Sequence, residues 1–215
     1  MEIIPVINCD DFSCVKEKLL KANEFLSDSP KKIHIDISDG KYAIKPEWND
    51  PDSLKIFISE NNLNFQIGIH LMVQKPSAEI EKWAPLVKKV SVPIDCEEDV
   101  KNIAKLCREK NIVPCLSIPP NESVEKAIEY EDDFPEFQIL AVPPGPSGQK
   151  MREGTIEKIK SLKDKLSSAI IEVDGGIDPE NIPILKEAGA DIALSGSYIF
   201  NAPNPKSAYS KLKSL

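Results

Sequence analysis

The sequence of 215 residues predicts a (β/α)8 barrel, a closed ring of eight parallel strands in which a helix follows each strand. Short apolar, β-branched runs alternate with helical patterns along the whole chain. This alternation repeats eight times and implies parallel strands joined by right-handed crossovers. No linker or low-complexity segment interrupts it, so residues 1–215 are expected to form one domain. An open, doubly wound sheet shows the same alternation and stays an alternative here.

The predicted strands are short runs rich in Ile, Val or Leu, as is typical of buried parallel strands. They cover residues 2–7, 32–37, 65–72, 86–92, 112–118, 137–142, 169–173 and 191–194.

The predicted helices are recognised by apolar spacing and by residues typical of helix ends. They cover residues 13–26, 51–60, 77–83, 97–110, 122–130, 154–166, 179–188 and 206–212. Pro51 suits a first helical turn, and Asn121 and Asp178 are the predicted N-caps of their helices. Gly189 follows the seventh helix, where a left-handed residue commonly ends a helix.

Composition excludes some classes of function. The net charge is −8 and the pI is near 5.0, which argues against a nucleic-acid-binding or membrane-surface protein because both need a basic face. No apolar run approaches the roughly 18 residues of a membrane span, and the start of the chain does not resemble a signal peptide. The five cysteines form no Cys-x-x-Cys motif, which predicts reduced thiols and a cytoplasmic protein.

The second predicted strand carries polar residues on one face. Ile33, Ile35 and Ile37 alternate with His34 and Asp36, so the two sets point to opposite sides of the strand. In a half-exposed strand the polar side chains would simply face water. In a closed parallel barrel both faces are buried, and His34 and Asp36 would then point into the interior and need partners.

Those partners are expected at the carboxyl ends of other strands, where such barrels place their sites. His70 lies near the end of the third predicted strand, and Asp174 directly follows the seventh. Together with His34 and Asp36 they form a mixed nitrogen and oxygen set that suits Zn²⁺, Fe²⁺, Mn²⁺ or Co²⁺. A buried network of His–Asp hydrogen bonds without a metal would produce the same pattern.

Glycine-rich turns follow the seventh and eighth strands and lead into helices. They read Asp174-Gly175-Gly176-Ile177 and Ser195-Gly196-Ser197. Loops at these two places often bind phosphate in (β/α)8 barrels, because glycine lets backbone N–H groups approach an anion closely. Each turn taken alone could be only a turn. The Gly/Pro-rich loop 143–151 could close over a ligand or serve only as a connection.

In these residues the chain resembles the ribulose-phosphate 3-epimerases, which are TIM-barrel enzymes of the pentose phosphate pathway. The resemblance extends from Pro5 to Phe200. The segments that carry it together are Ile33-His34-Ile35-Asp36 with Asp39-Gly40, His70-Leu71-Met72-Val73, Pro144-Gly145 with Gly148-Gln149, Val173-Asp174-Gly175-Gly176-Ile177, and Ala188-Gly189-Ala190-Asp191 with Gly196-Ser197 and Ile199-Phe200.

The resemblance implies a function and its residues. One divalent metal ion (Zn, Fe, Mn or Co) would be bound by His34, Asp36, His70 and Asp174. Asp36 and Asp174 would interconvert D-ribulose 5-phosphate and D-xylulose 5-phosphate by two-base proton transfer at C3 through an enediolate. The phosphorylated substrate would contact His70, Gly145, Ser147, Gly148, Gly175, Gly176, Gly196 and Ser197. Members of the family often form homo-oligomers, although this sequence shows no interface signature.

The chain also departs from the family. Val6, Ser38 and Leu140 stand where the family has Ser, Met and Met, and Met72 is the only methionine left of the cap over the reacting carbon. Pro146 and Ser147 change a loop in which the family has Phe and Gly, and proline has no N–H to donate. Two alternatives therefore stay open: the same chemistry on another ketose phosphate such as a hexulose 6-phosphate, or a non-catalytic sugar-phosphate-binding barrel.

Overall fold

Eight parallel strands form a closed barrel in the computed structural model, which describes residues 1–215. They are β1 Glu2–Ile7, β2 Lys31–Ser38, β3 Phe65–Met72, β4 Val87–Pro93, β5 Val113–Ile118, β6 Glu136–Leu140, β7 Ile170–Asp174 and β8 Ile192–Ser195. Each strand pairs with its neighbours in sequence, and β1 pairs with β8. Closure leaves no unpaired strand edge. The predicted (β/α)8 barrel is therefore confirmed, and the open-sheet alternative is wrong.

Nine helices follow the strands, the last two of them after β8. They are α1 Phe12–Phe25, α2 Pro51–Glu60, α3 Pro76–Trp83, α4 Val100–Glu109, α5 Val124–Ile128, α6 Thr155–Lys165, α7 Ile182–Ala188, α8 Ser197–Phe200 and α9 Pro205–Lys213. Five begin after a side chain that accepts a hydrogen bond from a backbone N–H in the first turn, the usual N-cap arrangement. Those caps are Asp11, Asp50, Asp99, Ser123 and Asn204.

Two predicted N-caps, Asn121 and Asp178, are wrong. α7 begins at Ile182 because Asp178 accepts hydrogen bonds from the N–H groups of Glu180 and Asn181, which forms a turn before the helix. α5 is capped by Ser123 instead of Asn121, and it has only five residues. α8 was not predicted, because four residues are too few to show a helical period. The remaining boundaries differ from prediction by three residues or fewer.

The two faces of the barrel strands bury different chemistry. Ile33, Ile35 and Ile37 of β2 belong to the main hydrophobic core between the strands and the helices. The barrel interior has an apolar part on β1 and β8 and a polar part on most of the other strands. The apolar part consists of Ile4, Val6, Ile192 and Leu194. The buried polar side chains on strands β2 to β7 are His34, Asp36, Ser38, His70, Ser91, Ser117, Gln138, Glu172 and Asp174.

The cysteines differ from prediction. Cys9 and Cys14 form a disulfide across the turn between β1 and α1, while Cys96, Cys107 and Cys115 are free. The expectation of five reduced thiols is therefore wrong for this pair. The start of α1 brings the two Cα atoms to 5.8 Å, which lies within the usual range for a disulfide. A spacing of five residues does not predict this approach without the position of the helix.

None of the helices is both long enough and apolar enough to cross a membrane.

Packing between strands and helices predicts that substitution of two isoleucines lowers the stability of the protein by very different amounts. Ile69 of β3 is fully buried, whereas Ile44 is 83% exposed in the loop after β2. We expect Ile69→Ala to lower the free energy of unfolding by about 2–5 kcal/mol, because the substitution leaves a cavity. Ile44→Ala is the matched control and should change it by less than about 0.5 kcal/mol. Urea unfolding followed by circular dichroism measures both, and equal values for the two variants would contradict this packing.

Candidate active site

Register between β2 and β3 brings the first candidate residues together. Asp36 lies opposite His70, and His34 lies opposite Gly68. All three polar side chains point into the barrel and are buried. Gly68 makes room for an imidazole, because a Cβ at this position would lie 3.2 Å from Nδ1 of His34. The alternative in which His34 and Asp36 face water is therefore wrong.

Asp174 reaches the same region from the end of β7. Its Oδ2 atom lies 3.8 Å from Nδ1 of His70 and accepts a hydrogen bond from Nε2 of Gln138 at 3.3 Å. One ligand atom from each of Asp36, His70 and Asp174 lies within 4.8 Å of the other two. His34 lies beside this group, with its Nε2 atom 3.9 Å from Oδ1 of Asp36. Three of the four predicted metal ligands thus form one compact group, and the fourth adjoins it.

Several buried atoms of this group have no hydrogen-bond partner. They are Nε2 of His34, Oδ1 of Asp36 and both ring nitrogens of His70. An unpaired polar atom in the interior costs on the order of 1–3 kcal/mol, so such atoms are rare unless something binds them. Two imidazoles and two carboxylates form a donor set that suits a divalent transition metal. The residues present therefore fit the predicted ion.

Burial also changes the protonation of these groups. It raises the pKa of Asp36 to about 7, with repulsion from Asp174 as a further cause. Burial followed by repulsion from Glu172 raises the pKa of Asp174 to about 7. Burial lowers the pKa of His34 to about 3 and also lowers that of His70. Both imidazoles are therefore neutral at pH 7, the form that binds a metal.

A buried ion pair lies deeper in the barrel. Nζ of Lys89 donates a hydrogen bond to Glu172 and lies 3.2 Å from Oε2 of Glu136. Glu172 is fully buried, and Lys89 holds the pKa of this carboxyl below its usual value against the effect of burial. Sequence reasoning missed these residues. The signal for Glu172 was its alternation with Asp174, which places both on the inner face of β7.

An open pocket of about 540 Å³, including the solvent at its mouth, is lined by Asp36 and Asp174. Seven of the eight predicted substrate-binding residues line it: Gly145, Ser147, Gly148, Gly175, Gly176, Gly196 and Ser197. His70 is the exception, since it is buried and does not line the pocket. Gly176 must lack a side chain, because its φ is +67° and a Cβ would lie 2.3 Å from the backbone nitrogen of Met151. The loops after β6, β7 and β8 therefore meet around one opening.

The residues that depart from the family pattern lie at different places around this pocket. Val6, Leu140 and Pro146 line it together with Met72. Ser38 does not, because its hydroxyl donates a hydrogen bond to the carbonyl of Lys45 in the loop that follows. The pocket wall is thus less bulky at Leu140 than methionine would make it, and more bulky at Val6 than serine would make it.

Two polar residues near Asp36 were also missed. Asn8 lines the pocket directly after β1 and donates a hydrogen bond to Oδ2 of Asp36. Glu47 is buried in the loop between β2 and α2, where burial and repulsion from Asp36 raise its pKa to about 8. Neither lies within a predicted strand or motif, so no sequence pattern singled them out.

Comparisons with known proteins bear on the family of this chain. The family described as "Ribulose-phosphate 3 epimerase family" matches residues 2–200. A protein of Helicobacter pylori strain J99 named ribulose-phosphate 3-epimerase is 28% identical over 223 residues, which cover 100% of this chain and 98% of that protein. A protein of the same name from Aquifex aeolicus is 30% identical over 221 residues, covering 99% and 96%.

A solved structure supports the fold. The crystal structure of a 3-hexulose-6-phosphate synthase superposes with a TM-score of 0.74 at 16% identity and covers 100% of this chain and 99% of its own. At this identity the similarity concerns the barrel alone. The family match spans most of the chain and includes all the candidate residues described above. The chain therefore belongs to the ribulose-phosphate 3-epimerase family, a family of isomerases.

Proposed function

We propose that this protein is a metal-dependent epimerase that interconverts D-ribulose 5-phosphate and D-xylulose 5-phosphate. The observation that carries the proposal is that the carboxyl groups of Asp36 and Asp174 line the same pocket. They reach it from strands that are separated in the ring by β8 and β1. The family match and the names of the two relatives support the choice of reaction.

The chemistry explains why two carboxyl groups are needed. One carboxylate takes the proton from C3, the C3–H bond breaks, and its electrons move toward the C2 carbonyl to form an enediolate. The other group, protonated beforehand, delivers its proton to the opposite face of C3. A single carboxyl group cannot serve both faces. Raised pKa values near 7 for Asp36 and Asp174 favour a pair in which one member holds a proton at neutral pH.

The residues that would hold the divalent ion are Asp36, His70 and Asp174, with His34 completing the set. When bound, an ion such as Zn²⁺, Fe²⁺, Mn²⁺ or Co²⁺ would supply positive charge that stabilises the enediolate. The neutral imidazoles and the unpartnered buried atoms of this group support the assignment. Gln138 orients Asp174 through the hydrogen bond at its Oδ2 atom.

The phosphate of the substrate is assigned to the loops around the pocket opening. Gly148, Gly176, Gly196 and Ser197 would donate backbone N–H groups, and Gly145, Ser147 and Gly175 would contact the sugar phosphate beside them. Pro146 lies in this loop without an N–H to contribute. The absence of side chains at the glycines allows an anion to approach the backbone.

A second candidate is the same reaction on a longer ketose phosphate, such as a hexulose 6-phosphate. Leu140 in the pocket wall favours it, because leucine is shorter than the methionine that the family has at this position and leaves more room beside Met72.

Cytoplasmic location, assembly into homo-oligomers, and the limits of the domain at residues 1–215 stay predictions. Light scattering on purified protein measures the oligomeric state.

The two carboxyl groups are tested by substitution. We expect Asp36→Asn and Asp174→Asn each to lower the turnover of D-ribulose 5-phosphate by about 10²–10⁴-fold, because each removes one proton carrier. Incorporation of solvent deuterium at C3, followed by NMR with protein loaded with Zn²⁺, Mn²⁺ or Co²⁺, measures the reaction. Asp164→Asn on the exposed surface of α6 is the matched control.

Three outcomes of this assay are distinct. Exchange into D-ribulose 5-phosphate by the unaltered protein supports the first candidate. Exchange only into a hexulose 6-phosphate supports the second. Binding of ketose phosphates in calorimetry without exchange into any of them contradicts an enzyme and favours a sugar-phosphate-binding barrel.

The raised pKa of Asp36 predicts how stability depends on pH. In the unfolded chain this carboxyl loses its proton near pH 4, but in the folded protein it does so only near pH 7. The folded state therefore loses stability relative to the unfolded state as the pH rises from about 4 to 7. Asn cannot ionise at this position. Without metal, we therefore expect the free energy of unfolding of Asp36→Asn, relative to that of wild type, to rise by roughly 2–3 kcal/mol when the pH is raised from 5 to 8.

Urea unfolding at pH 5 and pH 8 in the presence of a chelator measures this gain. Asp164→Asn should show the pH dependence of the unaltered protein, since that side chain is exposed. An equal effect of Asp36→Asn at both pH values would show that burial does not hold a proton on this carboxyl.

The phosphate assignment is tested by adding a negative charge. We expect Ser197→Asp to raise the KM for the phosphorylated sugar by at least about tenfold, because two like charges would share a small pocket. Ser210→Asp on the exposed side of α9 is the control with the same charge change. Steady-state kinetics measure both. A normal KM in Ser197→Asp would place the phosphate elsewhere.

A further inference from the structure

Asn8 contacts two acidic side chains at once. Its Nδ2 atom donates hydrogen bonds to Oδ2 of Asp36 at 3.2 Å and to Oε1 of Glu47 at 2.7 Å. An amide nitrogen carries two hydrogens, so both are used and the orientation of the amide is determined. A rotated amide would lose both of these hydrogen bonds. Asp36 therefore meets a fixed donor on this side.

Glu47 is held in place by the backbone around it. Its N–H donates to the carbonyl of Ser38 at 3.1 Å, and the N–H of Trp48 donates to the carbonyl of Cys9 at 2.9 Å. These bonds connect the loop after β2 to β2 itself and to the turn after β1. Glu47 as a whole residue is 5% exposed, and its Oε2 atom has no hydrogen-bond partner. A carboxyl group buried this completely has a structural or functional reason.

The backbone of Asn8 is held from a third element. Nζ of Lys18, on α1, donates to the carbonyl oxygen of Asn8 at 2.8 Å. The side-chain amide is thus the only part of this residue left to rotate, and Glu47 prevents that rotation. The other oxygen of Asp36, Oδ1, is buried without a hydrogen bond and faces His34. The two oxygens of this carboxyl group therefore have different surroundings.

We infer that Asn8 and Glu47 form a positioning pair for Asp36, an inference that rests on the proposed epimerase function. Asn8 binds Oδ2 of Asp36 and thereby directs Oδ1 toward His34, His70 and Asp174. Glu47 holds the amide of Asn8 in the only orientation that can do this. Neither residue transfers a proton, and both act by fixing the carboxyl plane of Asp36. Partners behind a metal ligand typically change affinity or activity by about 10–100-fold when removed.

The first measurement does not depend on turnover. Binding of Co²⁺ alone is followed by its visible absorption and by calorimetry in the absence of sugar. We expect Asn8→Leu and Glu47→Ala to weaken Co²⁺ binding by about 10–100-fold. Glu47→Gln should recover most of the loss, because its amide oxygen can still accept from Asn8. If Asn8→Leu does not fold, the comparison of Glu47→Gln with Glu47→Ala still tests the inference.

A neighbouring pair of the same residue types provides the matched control. Asn49 donates through Nδ2 to Oε2 of Glu79 at 2.8 Å, on the exposed side of the loop before α2. Glu79→Ala removes an Asn–Glu hydrogen bond without contact to Asp36. It should leave both the Co²⁺ affinity and the turnover unchanged.

The second measurement separates positioning from a general loss of structure. Because only Asp36 is misplaced, the proton transfer on its side of C3 should become slower than the transfer at Asp174. The C3-deuterium isotope effect on kcat/KM should then rise for the epimer that Asp36 deprotonates and fall for the other epimer. A loss of stability alone would leave the two isotope effects unchanged.

Outcomes for the inference and for the proposed function are distinguishable. If the unaltered protein exchanges no ketose phosphate, the epimerase proposal fails, and Co²⁺ binding still decides the role of Asn8 and Glu47. If it epimerises normally but Asn8→Leu and Glu47→Ala retain the Co²⁺ affinity and the isotope effects of the unaltered protein, the positioning pair is overturned. A tenfold or greater loss in both variants with recovery in Glu47→Gln supports it.

Discussion

The structure depends on a set of acids and imidazoles buried inside a parallel barrel. Asp36, His70 and Asp174 bring their ligand atoms within 4.8 Å of one another, and several of these atoms have no hydrogen-bond partner within the protein. Folding must therefore compensate for polar groups that lose water and gain little in return. The extensive apolar packing between strands and helices supplies that compensation. A strained or incompletely paired site of this kind is common where binding and catalysis occur.

The interior is arranged so that charge of both signs is present. Lys89 contacts Glu172 and Glu136 in the deeper part of the barrel, below Asp174. Without this lysine, two further carboxyl groups would share the low-dielectric interior with the candidate metal site. On the other side, Ile4, Val6, Ile192 and Leu194 form an apolar wall. The polar side chains are thereby confined to one part of the ring, and the pocket opens above their upper members.

Much of the fold could be predicted, because the underlying signals are local. The alternation within β2 places its isoleucines and its polar residues on opposite faces whatever the rest of the chain does. Errors occurred where two local signals compete. Asp178 is both a good N-cap and a good turn residue, and the structure uses it in a turn. The Cys9–Cys14 disulfide was missed because the residue count and spacing do not report how α1 begins.

The sequence by itself determined the class of fold, the identity of the four acid and imidazole residues, and the glycine turns that surround the pocket opening. These features depend on periodicity and on backbone freedom, which are properties of a few neighbouring residues. Only the tertiary structure decided that Asn8 and Gln138 donate hydrogen bonds to the two candidate catalytic carboxyl groups, and that Glu47 accepts one from Asn8. These side chains come from a strand end, a loop and another strand. Their contacts follow from barrel closure and loop packing, because residues far apart in sequence meet only after the ring is formed.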